Sequence, residues 1–332
     1  MINIAMLGTG KIVPEAIVAI QQGGKFNVAA IWARPHSKDK AEALAQKFNI
    51  EKIFTDYDEL LADPEIEFIY VGLVNAVHYE YTKKALEAGK NVILEKPFTV
   101  KSSEAEELAN LAIKKGLYLF EAVTLLHCPN FYKIRDTLKD LGNIRLIQCN
   151  YSQYSSRYDA YKEGKVLPAF DPKLYGGALY DINIYNINFI IGLFGAPNAL
   201  EYVANIGFNG IDTSGFLVLK YDNFIAHCTG AKDSDSPSFL IIQGDNGFIR
   251  VKSAPNLLAS LEISIRGREV ETMNLNQFEH RMVHEFIEFA ETFEDKAYDK
   301  MKASLETSII VVNAAETAIK NAGLHYGEQI EK

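Results

Sequence analysis

Three side chains in this sequence have the chemistry to handle the proton of a hydroxyl group: Lys96, Asp181 and Tyr185. Lys96 stands in Glu95-Lys96-Pro97, directly after the apolar run at 91–94. Its ammonium would hydrogen-bond a substrate hydroxyl and stabilise the alkoxide that forms as hydride leaves. A lysine at such a place is also often an ordinary surface lysine. The sequence leaves open whether the peptide bond before Pro97 is cis.

Asp181 and Tyr185 belong to the stretch GGALYDINIY at 176–185. If this stretch is helical, the two side chains stand at i and i+4 on one face. A carboxylate and a phenol so placed would hold a sugar-like hydroxyl and relay its proton. The pKa of a free tyrosine is about 10. A neighbouring ammonium such as that of Lys96 would lower the pKa of Tyr185. The alternative is a core aromatic at Tyr185 and a capping role for Asp181.

A glycine turn follows the first apolar run and opens a helical pattern. It contains Gly8, Thr9, Gly10, Lys11 and Ile12. Gly8 would make the tight turn and Gly10 would let the backbone approach a pyrophosphate at the helix N-terminus. The third glycine of the dinucleotide fingerprint is replaced by valine. We therefore predict dinucleotide binding, with a plain structural turn as the alternative.

The end of the second apolar run bears on the choice of cofactor. An acidic residue there would bind a ribose 2′-hydroxyl, but none is present. Arg34, Ser37 and Lys38 instead offer donors for a 2′-phosphate. This favours NADP, with NAD possible and a solvated basic loop as the alternative.

Further cofactor contacts are predicted after the third and fourth strands. Asn75 would contact the nicotinamide ribose, and His78 lies either near the cofactor or on a helix surface. Glu95 and Lys96 complete the predicted cofactor-binding set.

Apolar runs alternate with helical patterns over the first 120 residues, which predicts an α/β domain with a doubly wound parallel sheet covered on both faces. The predicted strands lie at 2–7, 27–33, 67–73, 91–94 and 117–120, and the helices at 11–22, 37–48, 57–62, 78–88 and 104–115. Later residues show alternating strands and turns between helices, as in an α+β domain with a mostly antiparallel sheet. We place a dinucleotide-binding domain at 1–121 and a substrate and oligomerisation domain at 122–332.

Composition narrows the class of protein. The 332 residues carry a net charge of −9, which disfavours nucleic-acid binding. No apolar run approaches a membrane span, and the N-terminus lacks a basic segment, so we expect a cytoplasmic protein without membrane contact. Three cysteines without CxxC spacing disfavour disulfides and zinc. His280 and His284 lack the Glu of HExxH, so we predict no metal.

The segments GTGKI at 8–12, HYEYTKKALEAGKNVILEKPF at 78–98 and GGALYDINIY at 176–185 together resemble the glucose–fructose oxidoreductase/inositol dehydrogenase (Gfo/Idh/MocA) family. The resemblance covers essentially the whole chain. Lys96 matches the family's catalytic lysine and Asp181 its acidic partner. Tyr185 stands where many members have histidine, and Glu121-Ala122 is similar to the dimeric dihydrodiol dehydrogenase branch. Val13 and Asn183 depart from the family pattern, because both replace small residues.

The resemblance implies a Rossmann domain followed by a domain with a large open-faced sheet. It also implies an NAD(P)-dependent oxidoreductase that moves hydride between nicotinamide and a hydroxyl or carbonyl carbon of a sugar, polyol or diol. A homodimer or homotetramer would form through the open face of the C-terminal sheet. The alternatives are a non-catalytic NAD(P)-binding sensor, or glycoside cleavage with retained NAD and no net redox change.

Overall fold

The computed structural model describes residues 1–327 and divides the chain into two compact units. The first contains residues 1–122 and 280–309, and the second contains residues 123–279 and the chain from 310 onward. Our sequence-based boundary at 121/122 did not foresee that residues 280–309 pack with the N-terminal unit. The reason is the apolar face of a late helix, on which Phe286 meets the ring of Phe26 at 6.4 Å.

The first unit is built on a six-stranded parallel sheet in the order β3-β2-β1-β4-β5-β6. Its strands are β1 (Ile2–Leu7), β2 (Phe26–Trp32), β3 (Lys52–Phe54), β4 (Phe68–Val71), β5 (Asn91–Glu95) and β6 (Leu119–Ala122). The order reverses between β1 and β4, which is where open α/β sheets bind ligands. Only β3 was not predicted, because three residues at a sheet edge give no hydrophobic period.

The helices flank this sheet and the second one. They are α1 (Ile12–Gly23), α2 (Lys38–Phe48), α3 (Tyr57–Ala62), α4 (His78–Glu87), α5 (Ser102–Lys115), α6 (Pro129–Thr137), α7 (Tyr158–Lys162), α8 (Ile184–Phe194), α9 (Val283–Glu294) and α10 (Tyr298–Asn321). None of these helices, within residues 1–327, combines the length and apolar character needed to traverse a bilayer.

The second unit contains an eight-stranded sheet in the order β14-β13-β12-β11-β7-β10-β9-β8. Its strands are β7 (Ile144–Ser152), β8 (Ala199–Ile206), β9 (Asp212–Lys220), β10 (Ile225–Ala231), β11 (Phe239–Gly244), β12 (Gly247–Val251), β13 (Leu261–Ile265) and β14 (Glu271–Met273). Only β7 and β10 pair in parallel among these neighbours.

Buried and exposed side chains alternate along β9 and β10. Leu217 and Cys228 point into the core that α8 helps to cover, and both are fully buried. Phe216 and Ile225 point the other way and are about half exposed. The sheet therefore has one buried face and one open face, as expected for a half-covered antiparallel sheet.

Candidate active site

The glycine turn after β1 has the geometry that a pyrophosphate requires. Gly8 has a φ of 103° and donates its N–H to the carbonyl of Trp32 at 2.9 Å. A Cβ at this position would lie 2.8 Å from the carbonyl oxygen of Gly72, so only glycine fits. A Cβ on Gly10 would meet no atom within 4 Å. The backbone there is open to a ligand at the N-terminus of α1, whose first N–H groups lack intrahelical acceptors.

Val13 takes the place of the third glycine, and a glycine directly after β4, Gly72, compensates for its size. A Cβ on Gly72 would lie 2.9 Å from Cγ2 of Val13 and 2.8 Å from Cε1 of Tyr70. The absence of a side chain at Gly72 therefore makes room for the valine side chain on α1. The departure from the family pattern leaves the turn itself intact.

The predicted 2′-phosphate donors lie in a short turn at the carboxyl end of β2. The N–H of Ser37 donates to the carbonyl of Arg34 at 2.8 Å, which closes the turn. The side chains of Arg34 and Lys38 are exposed. Lys38 also lies 3.6 Å from Glu42, a distance typical of a weak surface pair.

His78 is fully buried, so the alternative of a helix-surface histidine is wrong. Its Nδ1 lies 2.9 Å from the carbonyl oxygen of Pro97 and its Nε2 lies 3.1 Å from that of Leu73. The ring thus lies between the loop after β4 and the loop after β5. Burial lowers the pKa of His78, which favours the neutral ring, and a neutral ring donates to only one of these two carbonyls. Asn75 opens the short helical turn just before it.

The loop that carries Lys96 is held from both sides. The Lys96–Pro97 peptide bond is cis. After it, the N–H of Phe98 donates to Oε1 of Glu121 at 2.8 Å. Before it, the buried carboxylate of Glu95 accepts from the hydroxyl of Tyr70 at 2.6 Å. Lys96 is therefore carried at the carboxyl end of β5 by a loop whose neighbouring groups are fixed.

Three buried carboxyl groups lie in the first unit, those of Glu95, Glu121 and Glu285. The sequence analysis did not predict that these three groups influence one another. Burial raises the pKa of Glu95, Glu285 and Glu121, in the last case to about 7. The charge of Glu95 adds to the effect on the other two. Both carboxyl oxygens of Glu285 lack a hydrogen-bond partner among the described residues. The neutral acid is therefore the favoured form of Glu285.

Asp181 and Tyr185 do not lie on one continuous α-helix, as the i, i+4 spacing had suggested. Residues Leu179–Asn183 form a π-helical turn, and α8 begins only at Ile184. Asp181 lies in the π turn and is partly exposed. Tyr185 lies in the first turn of α8 and is mostly buried, with its ring 6.0 Å from that of Tyr151. Such turns are often found at functional sites.

The buried carboxylate of Asp212, thirty-three residues after Leu179, holds the first residue of the π turn. Asp212 accepts the N–H of Leu179 at 2.7 Å and the hydroxyl of Tyr202 at 2.6 Å, and also the hydroxyl of Tyr326. A Cβ on Gly177 would overlap Oδ1 of Asp212, and Gly177 has a φ of 95°. Gly177 is thus required by the close approach of Asp212, and Gly176 by the backbone of Pro168 and Ala169, which a Cβ would meet at 2.7 and 2.8 Å.

Asn183, the second departure from the family pattern, is also compensated. Its amide donates to the carbonyl of Cys228 at 3.3 Å, and its oxygen accepts from Asn186 at 2.8 Å. A Cβ on Gly230 would lie 2.6 Å from Cβ of Asn183. Gly230 in β10 therefore makes room for the longer side chain, which ties the π turn to the sheet.

Sequence reasoning missed the partner of Asp181. The ammonium of Lys232 lies 2.8 Å from Oδ2 of Asp181, and only 3% of the Lys232 side chain is exposed. Lys232 directly follows β10, fifty-one positions after the aspartate. The only sequence signal was a lysine at the end of an otherwise buried strand.

Comparisons with known proteins cover both units of the chain. A family model described as "Oxidoreductase family, NAD-binding Rossmann fold" matches residues 2–123, and a "GFO/IDH/MocA C-terminal domain" matches residues 133–250. The scyllo-inositol 2-dehydrogenase (NADP(+)) IolU of Bacillus subtilis is 31% identical over 98% of this chain and 98% of its own length. The chain belongs to the Gfo/Idh/MocA family.

Other proteins are also similar to this chain over most of their length. A trans-1,2-dihydrobenzene-1,2-diol dehydrogenase of Xenopus tropicalis is 31% identical over 78% of this chain and 77% of its own. The 3-ketoreductase KijD10 of Actinomadura kijaniata shares the fold with a TM-score of 0.82, at 23% identity and with 96% of this chain and 97% of that chain covered. The predicted fold class and the assignment to the Gfo/Idh/MocA oxidoreductases are confirmed.

Proposed function

We propose that this protein is an NADP-dependent dehydrogenase or reductase that acts on a hydroxyl or carbonyl carbon of a sugar, polyol or diol. The observation that carries the proposal is the way Lys96 is held. Glu121 accepts the N–H of Phe98, two residues after Lys96, and the ring of His78 lies against the carbonyl of Pro97 in the same loop. A buried histidine and a buried glutamate thus serve to place one ammonium where ligands bind in such sheets. Relatives named for inositol, dihydrodiol and xylose oxidation support the substrate class.

The cofactor would lie along the carboxyl edge of the parallel sheet. Its pyrophosphate would rest on the backbone of the glycine turn, namely Gly8, Thr9, Gly10, Lys11 and Ile12. Arg34, Ser37 and Lys38 would bind the 2′-phosphate, and Asn75 the nicotinamide ribose. The name of the Bacillus subtilis relative includes NADP(+), which supports this choice over NAD. His78 and Glu95 would act by holding the loops, since their polar atoms contact the protein.

When bound, the cofactor would supply a nicotinamide ring as the hydride acceptor or donor. Lys96 would stabilise the negative charge that develops on the substrate oxygen. The hydroxyl proton would pass to Tyr185 in its phenolate form or to Lys96 in its neutral amine form, and the same group would return it in the reverse direction. Asp181 would orient the substrate through a hydrogen bond to one of its hydroxyls.

An assay with a panel of substrates tests the proposal. scyllo-Inositol, a dihydrobenzene diol and D-xylose would each be offered with NADP⁺ and with NAD⁺. We expect reduction of NADP⁺ with at least one class of substrate, and kcat/KM about tenfold or more higher for NADP⁺ than for NAD⁺. Tight NADPH binding without turnover of any panel member would instead support a sensor. Substrate conversion with retained NAD and no net redox change would support glycoside cleavage.

We also propose a homodimer or homotetramer that forms through the open face of the eight-stranded sheet. Val203, Phe216 and Ile225 lie on this face and are 63%, 52% and 48% exposed. Contiguous apolar side chains of this kind mark partner surfaces. A reducing cytoplasmic location is proposed as well, supported by three buried cysteines that form no disulfide within residues 1–327.

A further inference from the structure

Lys232 is a buried ammonium in a cradle built by three segments of the second unit. Its Nζ donates to the carbonyl of Ala169 at 2.5 Å and lies 4.4 Å above the ring centre of Phe170. Its backbone is fixed on both sides, since its N–H donates to Thr213 at 2.9 Å and its carbonyl accepts from Ser155 at 2.9 Å. The lysine therefore has little freedom to move.

The cradle is itself rigid because it rests on stacked aromatic rings. The ring of Phe170 stacks on that of Tyr161 at 4.9 Å, and Tyr161 stacks on Phe208 at 4.4 Å. The hydroxyl of Tyr161 donates to Asn209 at 2.7 Å. The tyrosine-rich segment before the π turn thus supports Lys232 from behind.

The charges around Lys232 leave Asp181 as its counter-ion. Asp233, the next residue in the chain, accepts from the hydroxyls of Thr213 and Ser214 at 2.7 and 2.8 Å. Asp212 is engaged by Leu179, Tyr202 and Tyr326, as described above. Among the described contacts of the second unit, the only carboxylate paired with Lys232 is that of Asp181, at 2.8 Å.

We infer that Lys232 is a positioning residue of the active site, which holds Asp181 ionised and in one orientation so that it accepts a hydrogen bond from a substrate hydroxyl. The inference rests on the proposed function of Asp181. An ammonium at this distance stabilises the carboxylate over the neutral acid. Asp181 is then not the general acid, and the proton must be handled by Tyr185 or Lys96. Lys232 itself is too buried to touch substrate.

The test compares Lys232→Met with the matched control Lys252→Met. Lys252 also pairs with a carboxylate, that of Glu262 at 3.0 Å, but it is exposed on the sheet. Lys232→Met should lower kcat/KM for the best substrate about tenfold or more and move the acid limb of its pH profile up by about one pH unit. The dissociation constant of NADPH should stay within about threefold, since no cofactor contact is removed. Lys252→Met should leave all three unchanged.

A second comparison keeps the test decisive if Lys232→Met folds poorly. Asp181→Asn alone leaves the buried ammonium of Lys232 without its counter-ion, whereas the double variant removes both charges. The double variant Lys232→Met/Asp181→Asn should therefore unfold at a higher urea concentration than Asp181→Asn alone. Its kcat/KM should fall within about threefold of that of Asp181→Asn, because Lys232 acts through the aspartate.

The outcomes separate this inference from the proposed function. An unchanged pH profile in folded Lys232→Met, or equal losses from Lys232→Met with and without Asp181, would overturn the role of Lys232 and leave the enzyme assignment standing. Absence of turnover in the wild-type protein would remove the proposed function. The urea comparison would still report whether the two charges are coupled.

Discussion

The side chain of Val13 fills the space beside Gly72. A Cβ added at Gly72 would lie 2.9 Å from Cγ2 of Val13. The two residues lie on α1 and directly after β4, at the reversal point of the sheet. A larger residue in the helix is thus matched by the smallest residue next to the strand. The glycine turn keeps its conformation because of this pairing.

The variant Gly72→Ala should be destabilised by about 1–3 kcal/mol, because the new methyl group also meets Tyr70 at 2.8 Å. Its NADPH affinity should fall, since the carbonyl of Gly72 lies against Gly8. Urea unfolding and a fluorescence titration measure both effects. Adding Val13→Ala should recover part of the stability. A double variant no more stable than Gly72→Ala would show that the Val13 contact is unimportant.

Lys96→Met should abolish measurable turnover while NADPH binding stays within about tenfold of wild type. The variant removes the charge that stabilises the alkoxide but leaves the glycine turn untouched. Steady-state kinetics and a binding titration provide the two readouts. Lys114→Met, on the exposed side of α5, is the matched control and should retain full activity. Strong residual turnover in Lys96→Met would contradict the assigned role.

Arg34→Ala should lower kcat/KM for NADP⁺ by about 10- to 100-fold, because a charge-assisted contact to the 2′-phosphate is lost. The value for NAD⁺, which lacks this phosphate, should change by less than about threefold. The second cofactor therefore serves as the control within the same variant. Equal losses for both cofactors would show that Arg34 does not recognise the 2′-phosphate.

Glu121 should make the protein less stable as the pH rises. Its pKa is about 7 in the folded state and 4.5 as an ordinary glutamate, because burial disfavours the charged form. Its contribution to stability is therefore full below pH 4.5 and is lost as the pH rises through about 7. The difference corresponds to about 3 kcal/mol.

Glu121→Gln should flatten this decline, since a neutral amide still accepts the N–H of Phe98. Free energies of unfolding in urea at about pH 5 and about pH 8 measure the change. The exposed variant Glu106→Gln should retain the wild-type slope. A Glu121→Gln slope equal to wild type would mean that Glu121 does not titrate in this range.

Phe216→Asp should shift the oligomer toward the monomer, because it places a charge among the apolar side chains of the open sheet face. Sedimentation velocity would give the molecular mass. Lys220→Asp, at the exposed end of the same strand, tests whether any added acidic group has this effect. A wild-type protein that is monomeric at working concentration would remove this proposal.

The sequence was informative wherever the signal was local. The glycine turn and the place of Lys96 after a buried strand follow from residues that are adjacent in the chain, and the structure has them at the expected ends of β1 and β5. The hydrophobic alternation of β9 and β10 likewise needs only short-range pattern. These elements could be predicted because their causes lie within ten residues.

The missed features depend on partners that are distant in the chain. The π turn at Leu179–Asn183 begins at a residue whose N–H is accepted by Asp212, thirty-three positions later. Lys232 meets Asp181 only because β10 runs beside that turn. The spacing of apolar residues along the sequence does not indicate either contact. Residues 280–309 pack with the first unit through an apolar helix face. The sequence of such a face does not show which of the two cores it packs against.

The most direct test of the central claim is a crystal structure of the protein with NADP⁺ and a polyol that it oxidises. Lys96 and Tyr185 should both lie within hydrogen-bond distance of one substrate hydroxyl, with Asp181 on the substrate and the bound carbon facing the nicotinamide ring. A complex in which these three side chains contact neither the substrate nor one another would contradict the proposed chemistry.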